Sequence, residues 1–220
     1  MCGRFNQRAT AAEIKEFFDL LRLPDWDWTP RYNIAPTQRH PMIRQSNGTR
    51  EATIARWGLI PSWAKDEKIG YRMINARSET VAEKPSFRAA FKRRRCLIPA
   101  TGYYEWQRID AKRKQPHHIH RSDEGLIAFA GLWERWDKGD DPVESFSIIT
   151  TSANSLMATI HDRMPVILPT AVHSVWLDPN VTPDALTELM RPYDGELIAN
   201  PVSSYVGNVR NEGPQCILAD

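Results

Sequence analysis

The chain has 220 residues, 41% hydrophobic and 25% charged, enough to bury one substantial core and to form a single domain over 1–220. No run approaches the roughly 18 apolar residues of a membrane span, and the N-terminus lacks the apolar stretch of a secretory signal, so no membrane partner and a cytoplasmic location are expected. The net charge of +2 hides a division: residues 1–120 hold 23 Lys+Arg against 12 Asp+Glu, and residues 121–220 hold 6 against 15, a balance of +11 against −9.

The chain opens Met1-Cys2-Gly3-Arg4-Phe5. A small second residue favours removal of the initiator methionine, which would leave a cysteine with a free amine and a thiol two carbons apart. Reference pKa values of about 7.7 to 8.0 for the amine and about 8.5 for the thiol leave both partly available near neutrality. Such a pair captures aldehydes: the amine condenses to an imine and the thiolate closes a thiazolidine on the same carbon, in an intramolecular step. Taken alone, Cys2 reads more readily as an incidental buried cysteine, and the rest of the chain must decide. With Cys96 and Cys216 it makes an odd set lacking CxxC spacing, which argues against a disulfide framework and a zinc site; Cys96 and Cys216 read as buried hydrophobes.

Thr10-Ala11-Ala12-Glu13 is a capping box opening a helix on which Ile14, Phe17, Phe18 and Leu21 share a face. Pro24 to Pro41 reads as a long Pro-punctuated loop. Strand-like runs follow at about 52–59, 96–107, 116–121, 125–133 and 144–150, bounded by Gly and Pro. Helices are expected near Thr170 to Leu177 and from Thr182-Pro183 to about Met190, the second with proline at its first position. The fold class is α+β, a single β-rich domain with antiparallel or mixed sheets, a barrel-like core and short flanking helices.

Several segments between these elements carry chemistry. In an extended Ile74-Asn75-Ala76-Arg77, the amide of Asn75 and the guanidinium of Arg77 point to one side and can orient a sugar and a phosphate together. Lys84 to Arg95 carries six positive charges, no negative one and two aromatics, which suits nucleic acid but equally a solvated face balanced by the acidic C-terminal part. Glu105, amid the aromatics of Tyr103-Tyr104-Glu105-Trp106, is a general acid or base if buried and an ordinary strand carboxylate if not. His161 and Arg163 sit in a Pro-terminated loop, where functional side chains concentrate. His118 and His120 share a strand face, but no clustered Cys or carboxylate completes a ligand set, so neither a metal nor another cofactor is expected. Among the eight tryptophans, Trp57, Trp63 and Trp106 are the candidates for contact with a base.

These segments together resemble the SOS-response-associated peptidase (SRAP) family, whose members shield abasic sites in single-stranded DNA. The resemblance spans nearly the whole chain and rests on Met1 to Phe5, Arg31-Tyr32-Asn33-Ile34-Ala35-Pro36, Trp57-Gly58, Ile74 to Arg77, Gly102 to Trp106, Ile160-His161-Asp162-Arg163-Met164-Pro165 and Val206-Gly207-Asn208-Val209. It implies that Cys2 crosslinks to DNA and that Asn75, Glu105 and His161 complete the active site. It further implies that Arg4, Arg77 and Arg163 bind phosphates, and that Trp63 or a neighbour such as Trp106 stacks on a base.

An abasic sugar supplies the aldehyde when its ring opens. Glu105 would move the protons of ring opening and imine formation, Asn75 would fix the sugar or the Cys2 amine, and His161 would handle protons at the sugar oxygen. The expected partner is single-stranded DNA containing abasic sites, bound by a monomer that is cytoplasmic and nucleoid-associated on DNA. Two other activities stay open: strand cleavage as a lyase through the Cys2 amine, and hydrolysis by an N-terminal-nucleophile cysteine peptidase, including removal of Met1 or release of the crosslink.

Overall fold

A computed structural model describes residues 2–219; the expected loss of Met1 falls on a residue outside that range. The strands are β1 Phe5–Gln7, β2 Arg31–Ile34, β3 Arg39–Ser46, β4 Thr49–Trp57, β5 Asn75–Arg77, β6 Arg95–Ala100, β7 Gly102–Arg108, β8 Lys114–Arg121, β9 Ile127–Trp136, β10 Val143–Ser152, β11 Arg163–Pro165 and β12 Leu197–Pro201. The short helices are α1 Ala11–Phe17, α2 Arg88–Arg93, α3 His173–Leu177 and α4 Pro183–Thr187. No helix among the described residues is long and apolar enough to cross a membrane.

Two sheets form this α+β fold. One is antiparallel in the order β12-β8-β7-β1-β2. In the other, β10-β4-β3-β6-β9 closes into a ring because β9 also pairs with β10. Alternation along the ring strands divides its side chains between two apolar clusters. Met42, Ile98, Phe129, Phe146 and Ile148 pack with Phe5, Tyr103 and Ile119 of the five-stranded sheet. Ile43, Leu97, Ala130 and Ile149 pack with Ile14 and Phe18, with Trp176 of α3 and with Leu186 of α4.

Both edges of β10 change partner along its length, and each change delivers a segment to one end of the ring. On one edge β4 pairs with β10 only through Arg56 and Trp57, after which β5 takes its place parallel to Ile148–Thr150. The chain leaves that edge at Gly58, whose φ of +116° suits glycine. A Cβ there would lie 2.6 Å from the Gly70 carbonyl oxygen, so Gly58 is glycine for close passage as well as for conformation. On the other edge β9 gives way to β11, and Val166 bridges the gap by accepting from Ala130 N and donating to Ile149 O.

The structure corrects parts of the sequence reading. The capping box forms, with Thr10 Oγ1 accepting from Glu13 N and Glu13 Oε2 from Thr10 N. The helix ends at Phe17, and a left-handed Asp19 turns the chain so that Leu20 is buried while Leu21 is 75% exposed. The run at 96–107 is two strands in different sheets, joined at Thr101. The Pro24–Pro41 loop contains β2 and the start of β3.

Candidate active site

The register of β1 on β7 pairs Phe5 with Tyr103, and Tyr104 N donates to Arg4 O. Continued antiparallel, this ladder brings residues 2–4 alongside 104–106, with Gly3 opposite Glu105 and Cys2 one position further, close enough for the Glu105 charge to act on the Cys2 thiol. Cys2 is fully buried. Burial pushes its thiol well up, and the neighbouring Glu105 adds to the effect.

Asn75 begins β5, directly opposite Ile148 of β10. The backbone just before it is held by Trp57, whose Nε1 donates to Ile74 O at 2.9 Å. From there Asn75 Nδ2 donates to the Cys2 carbonyl oxygen at 2.8 Å, tying the N-terminal segment to the ring. Asn75 Oδ1 is buried and accepts no hydrogen bond from the described residues. Ala76 is buried between a half-buried Asn75 and an exposed Arg77, the alternation an extended segment dictates.

Glu105 is 3% exposed, and desolvation raises its carboxyl above the ordinary range, while the charge of nearby His161 acts in the opposite direction. His161 arrives at the start of β11, where its own N–H donates to Met157 O. Its Nδ1 lies 3.0 Å from Arg163 N and 3.0 Å from Asp162 Oδ1. Nδ1 therefore accepts from the Arg163 N–H, which orients the ring, and Asp162 stands within ion-pair distance of the same nitrogen.

The three arginines differ. Arg77 is exposed. The Arg163 guanidinium spans both carboxylate oxygens of Glu79 and also donates to Thr150 O at 2.7 Å. That contact holds the Glu79 carboxyl below its usual range. Arg4 is only 8% exposed, and its Nη1 donates to Asn33 Oδ1 at 2.7 Å and to Val206 O at 2.8 Å. Its charge is thus committed to the protein interior, where burial lowers its pKa.

Asn33 completes this clamp, with Nδ2 donating to the carbonyls of Val206, Asn208 and Asn211. Sequence reasoning missed its role, because the segment reads as part of a loop and its partners lie some 175 residues away. The clamp joins the Arg31–Pro36 and Val206–Val209 segments physically.

The tryptophans also separate. Trp57 is fully buried, stacked on Phe146 with the rings 3° from parallel and set against Phe5, so it is removed from the candidates for base contact. Trp63 is 53% exposed and lines a 550 Å³ hollow with Lys65, Lys68 and Arg72. Trp106 is half-buried, with the Arg4 guanidinium 5.9 Å from its ring.

The Lys84–Arg95 run is not a uniform cationic face. Arg94 pairs with Glu134 at 2.7 Å. Arg95 is buried and donates to the carbonyls of Phe91, Lys92, Trp176 and Asp178, which satisfies the C-terminal ends of α2 and α3. His118 and His120 do share a face and stack at 4.7 Å, and they bond to Asn6 and Asn200. Burial, then the charge of His120, lowers His118 to about 3. Cys96 and Cys216 are buried free thiols, as expected.

Comparison with known proteins places this arrangement in context. A family model described as SOS response associated peptidase (SRAP) matches residues 1–209. The chain is 47% identical over 221 residues to the abasic site processing protein YoqW of Bacillus subtilis, covering 99% of each. It is 34% identical to the abasic site processing protein HMCES of Xenopus tropicalis, over 89% of this chain and 70% of that one. A crystal structure of a protein from Bacteroides thetaiotaomicron superimposes with a TM-score of 0.85 at 29% identity, covering 100% of both chains.

Proposed function

Because the chain belongs to the SOS response associated peptidase family, we propose that it processes abasic sites in single-stranded DNA by joining Cys2 covalently to the sugar. The observation that carries this reading is the convergence of Asn75 and Glu105 on Cys2 from two different sheets. Loss of Met1 frees the Cys2 amine. Glu105, whose carboxyl burial shifts toward its protonated form, gives a proton to the sugar's ring oxygen as the ring opens to an aldehyde, and takes protons back as the imine forms. The thiol then adds to the imine carbon and closes the thiazolidine.

His161 handles protons at the sugar oxygen, its ring oriented by the bond that Nδ1 accepts from Arg163 N. Asn75 keeps the N-terminal segment in place and offers Oδ1 to the substrate or to the freed amine. Arg77 binds phosphate as it stands, whereas Arg163 does so by exchanging Glu79 for the DNA backbone. Arg4 supports the site from behind through Asn33 and Val206. Trp63, which is exposed, and Trp106, which is half-buried, stack on a base in this reading. Single strands are preferred because the sugar must turn into a buried site, which duplex stacking opposes.

The test is incubation of the Met1-free protein with a single-stranded oligonucleotide carrying one abasic site. A denaturation-resistant adduct, its mass that of protein plus DNA less one water, is expected from wild type and not from Cys2→Ala. Strand cleavage alone from wild type would assign the lyase reaction instead, and cleaved peptide without adduct the peptidase.

A further inference from the structure

Tyr103 lies two residues before Glu105 on β7, and so on the same face of the sheet. Tyr104 between them faces the cluster of Val206 and Cys216. Tyr103 is fully buried in the apolar cluster that contains Cys2, with its ring meeting Phe129 edge-on at 6.0 Å. Its hydroxyl is itself buried and makes no hydrogen bond with any described residue. A desolvated phenol without an acceptor is unfavourable, and phenylalanine would fill the same space without that cost.

We propose that Tyr103 Oη donates a hydrogen bond to the Cys2 sulfur in the reactive state and so holds it as a thiolate. The hydroxyl is suited to this because it remains a donor: burial, then the neighbouring Cys2 and Glu105, place its ionisation well above the ordinary phenol range. The other groups around the thiol offer little competition. The Arg4 side chain is turned onto Asn33 and Val206, and only its backbone N–H reaches the sulfur. His40, against Phe5, is bonded to Pro99 O. Glu105 is a proton acceptor beside the thiol, and His161 acts on Glu105.

For the ring closure of the proposed function, on which this part of the inference rests, the S–H proton passes to the Glu105 carboxylate. The sulfur lone pair forms the S–C bond to the protonated imine carbon, and the C=N π pair returns to nitrogen. Tyr103 keeps its own proton throughout and stabilises the charge on sulfur before the bond forms.

The test needs no DNA. The rate of alkylation of Cys2 by iodoacetamide is measured against pH on the full, Met1-free chain, with the modified N-terminal peptide followed by mass spectrometry. Tyr103→Phe keeps the shape and should raise the midpoint by about one pH unit, the size expected for one lost hydrogen bond to the charged form. Replacing Tyr103 with 3,5-difluorotyrosine, a stronger donor, should lower it. An unchanged midpoint in both variants, or a rise in both, would overturn the proposal. A wild-type protein with the expected titration that forms no adduct with abasic DNA would refute the proposed function and leave the Tyr103 contact standing.

Discussion

Asn75 ties the N-terminal segment to the ring of strands: it stands on a strand paired to β10, and its Nδ2 donates to the carbonyl oxygen of Cys2 at 2.8 Å. The bond acts on the backbone of Cys2 and leaves the thiol to other neighbours. It therefore sets where Cys2 sits without fixing how its thiol ionises.

Asn75→Ala should slow single-turnover crosslinking by on the order of 10²-fold, the scale of a misplaced reacting group. Binding to undamaged single-stranded DNA should change little, because the phosphate contacts are assigned elsewhere. A fluorescence-anisotropy titration beside the crosslinking time course checks both halves; a rate within twofold of wild type would remove Asn75 from the site.

Glu105→Gln should slow crosslinking by roughly 10²- to 10⁴-fold if the carboxyl transfers protons. It should also stabilise the protein, with a definite pH dependence. Burial raises the folded carboxyl above its ordinary value of 4.5, so the folded state retains a proton that the unfolded state releases. The stability this represents is fully present below the unfolded value and is lost as pH rises through the folded one. Urea denaturation should thus find Glu105→Gln more stable than wild type at neutral pH, with the difference closing toward pH 4. A constant difference across that range would show that the gain has another origin.

Glu79 occupies the guanidinium of Arg163. Glu79→Gln should release that charge, tighten binding to single-stranded DNA and steepen the salt slope by about 0.7, the increment for one phosphate contact on a single strand. Arg77→Ala should do the opposite by the same increment. If Glu79→Gln weakens binding, the ion pair supports the fold and Arg163 does not reach the DNA.

Arg4→Ala should act through the fold. It leaves Asn33 Oδ1 and Val206 O each without a donor the wild type supplies, a loss of about 1.5–3 kcal/mol for a charged hydrogen-bond group. The melting temperature should fall, and higher DNA concentration should not restore crosslinking. Full rescue by DNA would instead assign Arg4 to phosphate binding.

Gly102→Ala tests the junction from which β7 carries Glu105. A Cβ there would lie 2.4 Å from His118 Nε2 and 2.8 Å from Ile119 O, and relieving that overlap should cost about 1–3 kcal/mol. A thermal melt with no change would show that the β7–β8 pairing yields without penalty.

Local signals made part of this protein legible from its sequence. The Thr10 capping box, the Thr182-Pro183 start of α4 and the strand-like runs of β4, β8, β9 and β10 all depend on neighbours a few residues away. The short elements β1, β2, β5 and β11 were not legible, because three or four residues carry no periodicity. Those are the elements that deliver Cys2, Asn33, Asn75 and His161. Candidate residues came from their chemistry and the order of their segments. The sequence by itself determined the β-rich class, the two ends of the charge division and a set of reactive side chains. Only the tertiary structure decided that β5 and β11 take over the edges of β10, that Arg95 caps two helices, that Arg4 points inward and that Tyr103 is buried in one cluster with Cys2. Each of these is a pairing between residues far apart in the chain, set by which hydrogen-bonding edges and apolar faces meet on folding and not by the residues adjacent in sequence.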